Sequence, residues 1–351
     1  MFIPPRCPNV ACEQHQRPVG KFFRRRGLYY PKCRSAGVPR FRCRTCGRDF
    51  SAQTFRYDRG DRKPWCNEQV FLLLCSGVSL RQIARLVKLD VHSVQGKKRK
   101  MGRTLGPLHH NLCPQLPPEK TYVLDEEETY ETASIRPLTM PVLIEKDTWF
   151  IVTSAVGSIR RLAKAGSGRR QRQEAEERLH GKRPDQSRQC VRAVLSELAR
   201  LSPQGRLGLR SDEKPTYAVL VKEIFGDRMQ HEVTSSTIAR RTFNGLFSIN
   251  TTLAMSRDNC GRLRRRSWLV TKKAERLQNH LVIFTVYRNY VRRRFNYDKE
   301  HQTPAQHLGL LPRNLAAAEV LAWRQDWGDL SIHPMSTTGS RTVRDPDPVA
   351  A

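Results

Sequence analysis

Four acids stand together in TYVLDEEETY, residues 121–130: Asp125, Glu126, Glu127 and Glu128. They follow a β-prone apolar run in a chain that carries 63 Lys and Arg against 33 Asp and Glu. A second aspartate, Asp212, ends another β-prone run, GRLGLRSD. Carboxylates brought to one point by two strands can hold Mg²⁺ or Mn²⁺, with phosphate oxygens and water filling the other positions. Two such ions about 4 Å apart stabilise the attacking and leaving oxygens of an in-line phosphoryl transfer. The plain alternative is that each Asp forms a turn or caps a helix. Strand alternation sends Asp125 and Glu127 to one face and Glu126 and Glu128 to the other. Glu127 is therefore a reserve ligand, and Glu126 and Glu128 are expected in solvent.

Four of the ten cysteines suggest a different metal. CPNVAC (Cys7, Cys12) and CRTC (Cys43, Cys46) are two pairs some thirty residues apart. Each pair can grip one side of a Zn²⁺ tetrahedron, and the ion then replaces the core that so short a segment lacks. FRCRTCGRDFS has the strand–knuckle–strand pattern of a zinc ribbon, with Gly47 free to take a positive φ. Cys33 and His15 are rival ligands; the plain alternative is free thiols in a basic arm.

A formal charge of +30 spread over 351 residues attracts polyanions, and double-stranded DNA is the default partner. No apolar run approaches the roughly 20 residues of a spanning helix, so no membrane role is expected. MFIPPRCPNV does not read as a signal peptide, which points to the cytoplasm and to metal-bound or buried thiols over disulfides.

The elements that must position these groups follow from the pattern. Residues 1–55 read as the ribbon and 56–104 as a helix-turn-helix. Ser79 would cap the helix LRQIARLV, and a second helix would run from His92 to KKRK. Arg81, His92, Ser93, Gln95, Lys97, Lys98 and Arg99 are its candidate DNA contacts. Residues 105–119, with several prolines, read as a linker. From 120 to 300 come three strands, a helix, a strand, a helix and a strand. That α/β (α+β) order is ribonuclease H-like, with a basic, exposed and partly mobile insertion at about 158–185. Asp125 would end its first strand and Asp212 its fourth, side by side in such a sheet. Long Arg-rich helical material follows, then an extension (301–335) and a disordered tail (336–351). A third ligand is expected from the helix after the last strand. That helix offers Asn250, a neutral carbonyl donor, with Glu275 further on as the alternative.

CPNVAC with FRCRTCGRDFS, GVSLRQIARLV, VLDEEETYE, SDEKPTY and INTTLAMSRDNCGRLRRRSW together resemble bacterial insertion-sequence transposases of the DDE class, over roughly residues 5–330. The resemblance implies metal-dependent cleavage at element ends and attack of the freed 3′-hydroxyls on target DNA, without a covalent protein intermediate. It implies Asp125 and Asp212 as the first two catalytic acids and an oligomer assembled on DNA. Asn250 stands near the third acid's place, a departure that leaves a D–D–N site or an inactive, DNA-binding regulator as the alternative. Arg262, Arg264, Arg265, Arg266, Lys272 and Lys273 would line the DNA path; otherwise they form a solvated helix face.

Overall fold

The computed structural model describes residues 2–33, 35–235, 237–238, 244–264 and 269–323. Its first unit is built around cysteines and phenylalanines. After a short helix α1 (Glu13–Gln16), strands β1 (Phe23–Tyr29), β2 (Val38–Cys43) and β3 (Asp49–Ser51) form an antiparallel sheet. Val38, Phe41 and Cys43 face inward along β2. Phe41 packs edge-on against Phe23 at 5.4 Å and stacks on Phe50 at 5.7 Å, giving a core of its own.

Helices α2 (Asn67–Leu74), α3 (Leu80–Leu86) and α4 (Val91–Leu112) come next. Ser79 caps α3 in a full capping box: its Oγ accepts the Gln82 N–H, and Gln82 Oε1 accepts the Ser79 N–H. Asp90 caps α4, its Oδ1 accepting the His92 N–H at 2.7 Å.

Two expectations change here. The second helix does not end in KKRK, and residues 105–112 are not linker. Helix α4 continues across Pro107 because Leu105, Leu108 and Leu112 are buried. Each such leucine contributes roughly 1.5–3 kcal/mol on burial. Together they outweigh the roughly 3 kcal/mol that an internal proline costs.

The larger sheet begins with β4 (Thr121–Tyr130), β5 (Pro137–Glu145), β6 (Ile151–Ser154) and β7 (Gly157–Ser158). Helices α5 (Gly168–His180) and α6 (Ser187–Leu201), strand β8 (Leu207–Ser211), helix α7 (Pro215–Phe225) and strand β9 (Met229–Val233) complete it. The strand order is β6-β5-β4-β8-β9, with β7 on β5. Strands β4, β5 and β6 are antiparallel, while β4, β8 and β9 are parallel. This is the mixed α+β architecture expected, and it has the strand order of a ribonuclease H-like sheet.

Alternation along β4 divides two cores. Tyr122 and Leu124 join the side chains of α6 and α7, whereas Val123 joins α8 (Phe247–Asn259) and α9 (Ala274–Val286). Between those two helices the chain does not stay helical, as had been expected. It turns at Gly261, where a side-chain Cβ would come within 2.7 Å of the Gly77 carbonyl oxygen. Gly77 N–H in turn donates to Asn259 O at 2.8 Å, so this turn is docked on the helix-turn-helix.

The basic stretch 158–185 is largely exposed, as expected, but it is not without regular structure, since α5 lies within it. Ser167 caps α5, and Arg160 bonds Glu177 at 2.9 and 3.0 Å. Arg183 reaches Glu131 at 3.2 Å, and Arg136 pairs with Glu176. A helix held by ion pairs has no apolar stripe to announce it. Finally, α11 (Ala317–Ala322) closes over α2, where Val320 and Leu321 share a core with Val70, Phe71 and Leu74, while α10 (Pro304–His307) packs on residues 287–291. The helix-turn-helix and the sheet are thus one packed body, while the ribbon keeps a separate core. Among the described residues no helix is long and apolar enough to cross a membrane.

Candidate metal centres and nucleic-acid interface

The ribbon brings Cys7, Cys12, Cys43 and Cys46 together, all four sulfurs within 4.8 Å of one another. Cys7 Sγ lies 3.5 Å from Cys46 Sγ and Cys12 Sγ 3.9 Å from Cys43 Sγ. A tetrahedral zinc with Zn–S bonds of about 2.3 Å separates its sulfurs by about 3.8 Å. The donor set therefore fits zinc. The knuckle is shaped by Gly47 at φ +68°, whose N–H reaches Cys43 O at 3.2 Å. Burial pushes the Cys7 and Cys12 thiols up. At Cys46 burial is outweighed by bonds from the Arg48 backbone and neighbouring groups, which bring the thiol down to about 7. Neither rival joins the group. His15 turns Nδ1 to the Cys7 carbonyl at 2.7 Å, and Cys33 lines an open groove with Tyr29 and Arg40.

Asp125 does not end its strand. Strand β4 runs on to Tyr130 because β5 pairs with it as far as Tyr130↔Pro137. What ends near Asp125 is the parallel ladder to β8, whose last pair is Val123↔Arg210. The same register, were it carried two residues further, would set Asp125 opposite Asp212. Both are half-buried. Asp125 Oδ1 accepts the Glu126 N–H at 2.7 Å, and Asp212 Oδ1 accepts the Lys214 N–H at 3.2 Å. The Tyr217 phenol is held well above its usual range by burial and then by the charges of Glu126, Asp212 and Asp125. These acids share one neighbourhood at the start of α7.

The other acids of the run have separate partners. Glu127, buried, pairs with Arg257 of α8, which takes up the proposed reserve ligand. Glu128 pairs with Arg161. Glu126 is not in solvent, contrary to expectation. It accepts bonds from Tyr217 Oη at 3.0 Å, from Ser187 Oγ at 3.2 Å, and from Lys214 and Thr139. Alternation gave its face correctly; the donors come from α6, α7 and β5, which no local pattern links to residue 126.

Asn250 sits half-buried on the first turns of α8. Two contacts bracket it. Just before the helix, a Cβ at Gly245 would lie 3.6 Å from Arg210 of β8. Two turns after Asn250, Arg257 meets Glu127 of β4. Asn250 therefore lies between these two contacts, on a helix that packs against β4 and β5. Glu275 does not. The neighbouring Ala274 N–H donates to Glu131 at 3.2 Å, just past the end of β4 and six residues, or about 20 Å of extended chain, beyond Asp125.

The expected DNA contacts divide by burial. Arg81, His92, Ser93 and Arg99 are exposed on α3 and α4, as are Arg264, Lys272 and Lys273. Gln95 is half-buried and turns its amide toward Arg276. Lys97 and Lys98 face inward instead. Lys97 Nζ donates to Asp61, Asn67 and the Lys63 carbonyl at 2.7–2.9 Å, and Lys98 Nζ to the Arg276 carbonyl at 2.7 Å. They were read as surface cations because the buried face of α4 was unrecognised. Arg262 is largely covered, and burial followed by the Arg276 charge lowers its guanidinium to about 10. Arg265, Arg266 and the tail 336–351 lie outside the described residues.

One further ligand-type group escaped the sequence. Asp298, Glu300 and His307 have ligand atoms within 4.8 Å. Arg294 already stands 3.6 Å from Asp298 and His307 3.1 Å, so the group reads as an ion-pair knot. No spacing signal in DKEHQTPAQH marks it.

No family model matches the chain, and no curated protein matches it. Twenty-one chains of solved structures do. One is from the cryoEM structure of the simian T-cell lymphotropic virus intasome in complex with PP2A regulatory subunit B56 gamma, at 11% identity over 70% of this chain and 74% of that one. Its TM-score is 0.26, too slight a superposition to fix either fold or function.

Proposed function

We propose that the protein is a DNA transposase of the DDE type. In this reading it cuts DNA at the ends of an insertion sequence and joins the freed 3′-hydroxyls to target DNA. The observation that supports this most is the β4–β8 register, whose last pair Val123↔Arg210, extended by two residues, would set Asp125 opposite Asp212, within a chain of charge +30. Asp125 and Asp212 would hold Mg²⁺ or Mn²⁺, and Asn250 would add a neutral carbonyl oxygen. The bound ion supplies Lewis-acid stabilisation and a more acidic attacking water or hydroxyl. The chain itself supplies two charged oxygens at a fixed place and a basic surface that draws the DNA to them.

Arg81, His92, Ser93 and Arg99 would meet the element ends together with the zinc ribbon. Arg264, Lys272 and Lys273 would meet phosphates beside the acids. Two ends must be held together, so the working form would be a homo-oligomer on DNA in the cytoplasm.

The test is cleavage of a labelled duplex carrying the element's own ends, with Mg²⁺ or Mn²⁺. The native chain should cut, and Asp125→Asn and Asp212→Asn should bind the duplex without cutting. A native chain that binds the ends tightly yet never cuts would instead be a DNA-binding regulator, the reading that the neutral Asn250 favours.

A further inference from the structure

We infer that Glu126 is a positioning residue that sets the gap between Asp125 and Asp212. The inference rests on the proposed metal site and names what holds it in shape.

The need arises from the ladder. Hydrogen bonding between β4 and β8 stops at Val123↔Arg210, so the strands carry Asp125 and Asp212 past their last common bond. Side chains have to fix the separation from there on. Glu126 follows Asp125 directly and, by alternation, points to the opposite face of the sheet. There its carboxylate meets four donors from three elements. Lys214 Nζ and Tyr217 Oη come from the α7 end, Ser187 Oγ from the start of α6, and Thr139 Oγ1 from β5.

Two of these links lead back to Asp212. Lys214 lies two residues after it and donates its own backbone N–H to Asp212 Oδ1 at 3.2 Å. Lys214 Nζ also donates to Ser187 Oγ at 2.7 Å, so the lysine is held from two sides. Tyr217 N–H donates to the Lys214 carbonyl at 3.0 Å, which ties the phenol to the same turn. The result is a continuous path from one acid to the other: Asp125, Glu126, Lys214, Asp212. Its charged link is covered on the acid side, with Glu126 at 10% side-chain exposure and Lys214 at 34%. An ion pair partly sheltered in this way is less screened than one fully at the surface.

Glu126 is not itself one of the proposed metal ligands. Its oxygens are taken by the four donors, and its side chain leaves the face that Asp125 occupies. Its work is therefore done through Asp212 and Asp125, as partners behind metal ligands generally orient them.

The experiment is Mn²⁺ binding to the full chain, followed by loss of the free-ion paramagnetic resonance signal. It compares the native protein with Glu126→Gln, Lys214→Met, the double variant and Tyr217→Phe, with Asp212→Asn as the control for the site. Removing a partner behind a metal ligand weakens affinity roughly ten- to a hundredfold. Glu126→Gln and Lys214→Met are each expected to fall in that range. The double variant should be no weaker than the worse single, because both break one link. Duplex binding and the zinc content of the ribbon should be unchanged, which a general loss of folding would not allow. Tyr217→Phe removes one donor of four and should cost less; it carries the test if Glu126→Gln does not fold. Native Mn²⁺ affinity in folded Glu126→Gln and Lys214→Met would overturn the inference and leave the metal site standing. A native chain whose Mn²⁺ binding is indifferent to Asp212→Asn would overturn both.

Discussion

The ribbon cysteines and the acids of β4 are both short-range clusters of ligating side chains, yet they behave in opposite ways. The four cysteines turn to a single point within 4.8 Å. The four acids diverge: Asp125 accepts the Glu126 N–H just past the last β4–β8 pair, Glu126 reaches Lys214 and Tyr217, Glu127 reaches Arg257, and Glu128 reaches Arg161. The cause is backbone shape. A knuckle curls, so Cys43 and Cys46 face the same side, and Gly47 at φ +68° completes the curl. A strand alternates, so neighbouring acids must face different layers. An acidic run in a strand is thus a set of separate attachments between sheet and surrounding elements, of which one at most aims at a cation.

Removing the zinc that the ribbon's four cysteines would hold is the largest way to break this comparison. Structural zinc contributes about 10–16 kcal/mol in small metal-folded units. Strong chelation should therefore unfold the ribbon, while the sheet and its helices, which keep separate cores, stay folded. Proteolysis after chelation checks this by the sites of cutting. Simultaneous loss of protection in α4 and β4 would show that the ribbon is not independent.

At the acids the expected effects are smaller because each has its own partner. Asn250→Ala should weaken Mn²⁺ binding about tenfold or more, and Asn250→Asp should match or exceed the native affinity by adding charge, as titration with Mn²⁺ would show. Arg257→Leu leaves Glu127, only 6% exposed, without that partner. Breaking a fully buried pair costs about 3–5 kcal/mol. Arg257 is 42% exposed, so water softens the loss, and about 1–2 kcal/mol in denaturant unfolding is the expected figure. Glu127→Gln, which leaves no buried charge, should cost less than Arg257→Leu.

What the sequence made legible divides along the same line. Cys7, Cys12, Cys43 and Cys46, the Ser79 cap and the positive φ of Gly47 are local features, and each could be read from a few residues. The strand order was legible from the succession of elements. Partners distant in sequence were not. Glu126 was expected in solvent because nothing near it announces Ser187, Lys214 and Tyr217. Lys97 and Lys98 read as surface cations because α4 was expected to stop in KKRK, whereas the leucines beyond Pro107 carry it inward to Leu112. Helix α5 was hidden for a related reason: ion pairs such as Arg160–Glu177 hold it, and their acids lie in no apolar periodicity.

The smallest expected effect sharpens the comparison most, because it holds chemistry constant. Arg161–Glu128 and Arg257–Glu127 are both arginine–carboxylate pairs on one strand, one residue apart, and they differ in cover. Arg161 is 66% exposed and Glu128 36%, against 6% for Glu127. Exposed pairs are worth about 0.2–1 kcal/mol because water screens the charges and two long side chains must be ordered. Arg161→Gln should therefore change unfolding free energy by about 0.5 kcal/mol or less. The carbonyl of residue 161 would still accept from Gln173, so the segment before α5 keeps that attachment. The loss should also shrink as salt rises toward 1 M, where screening acts within about 3 Å, while the loss in Arg257→Leu should persist. Equal losses in the two variants, with the same salt dependence, would mean that burial does not set the value of these attachments. The division of the acidic run into covered and exposed partners would then fail as an account of why four adjacent acids do different things.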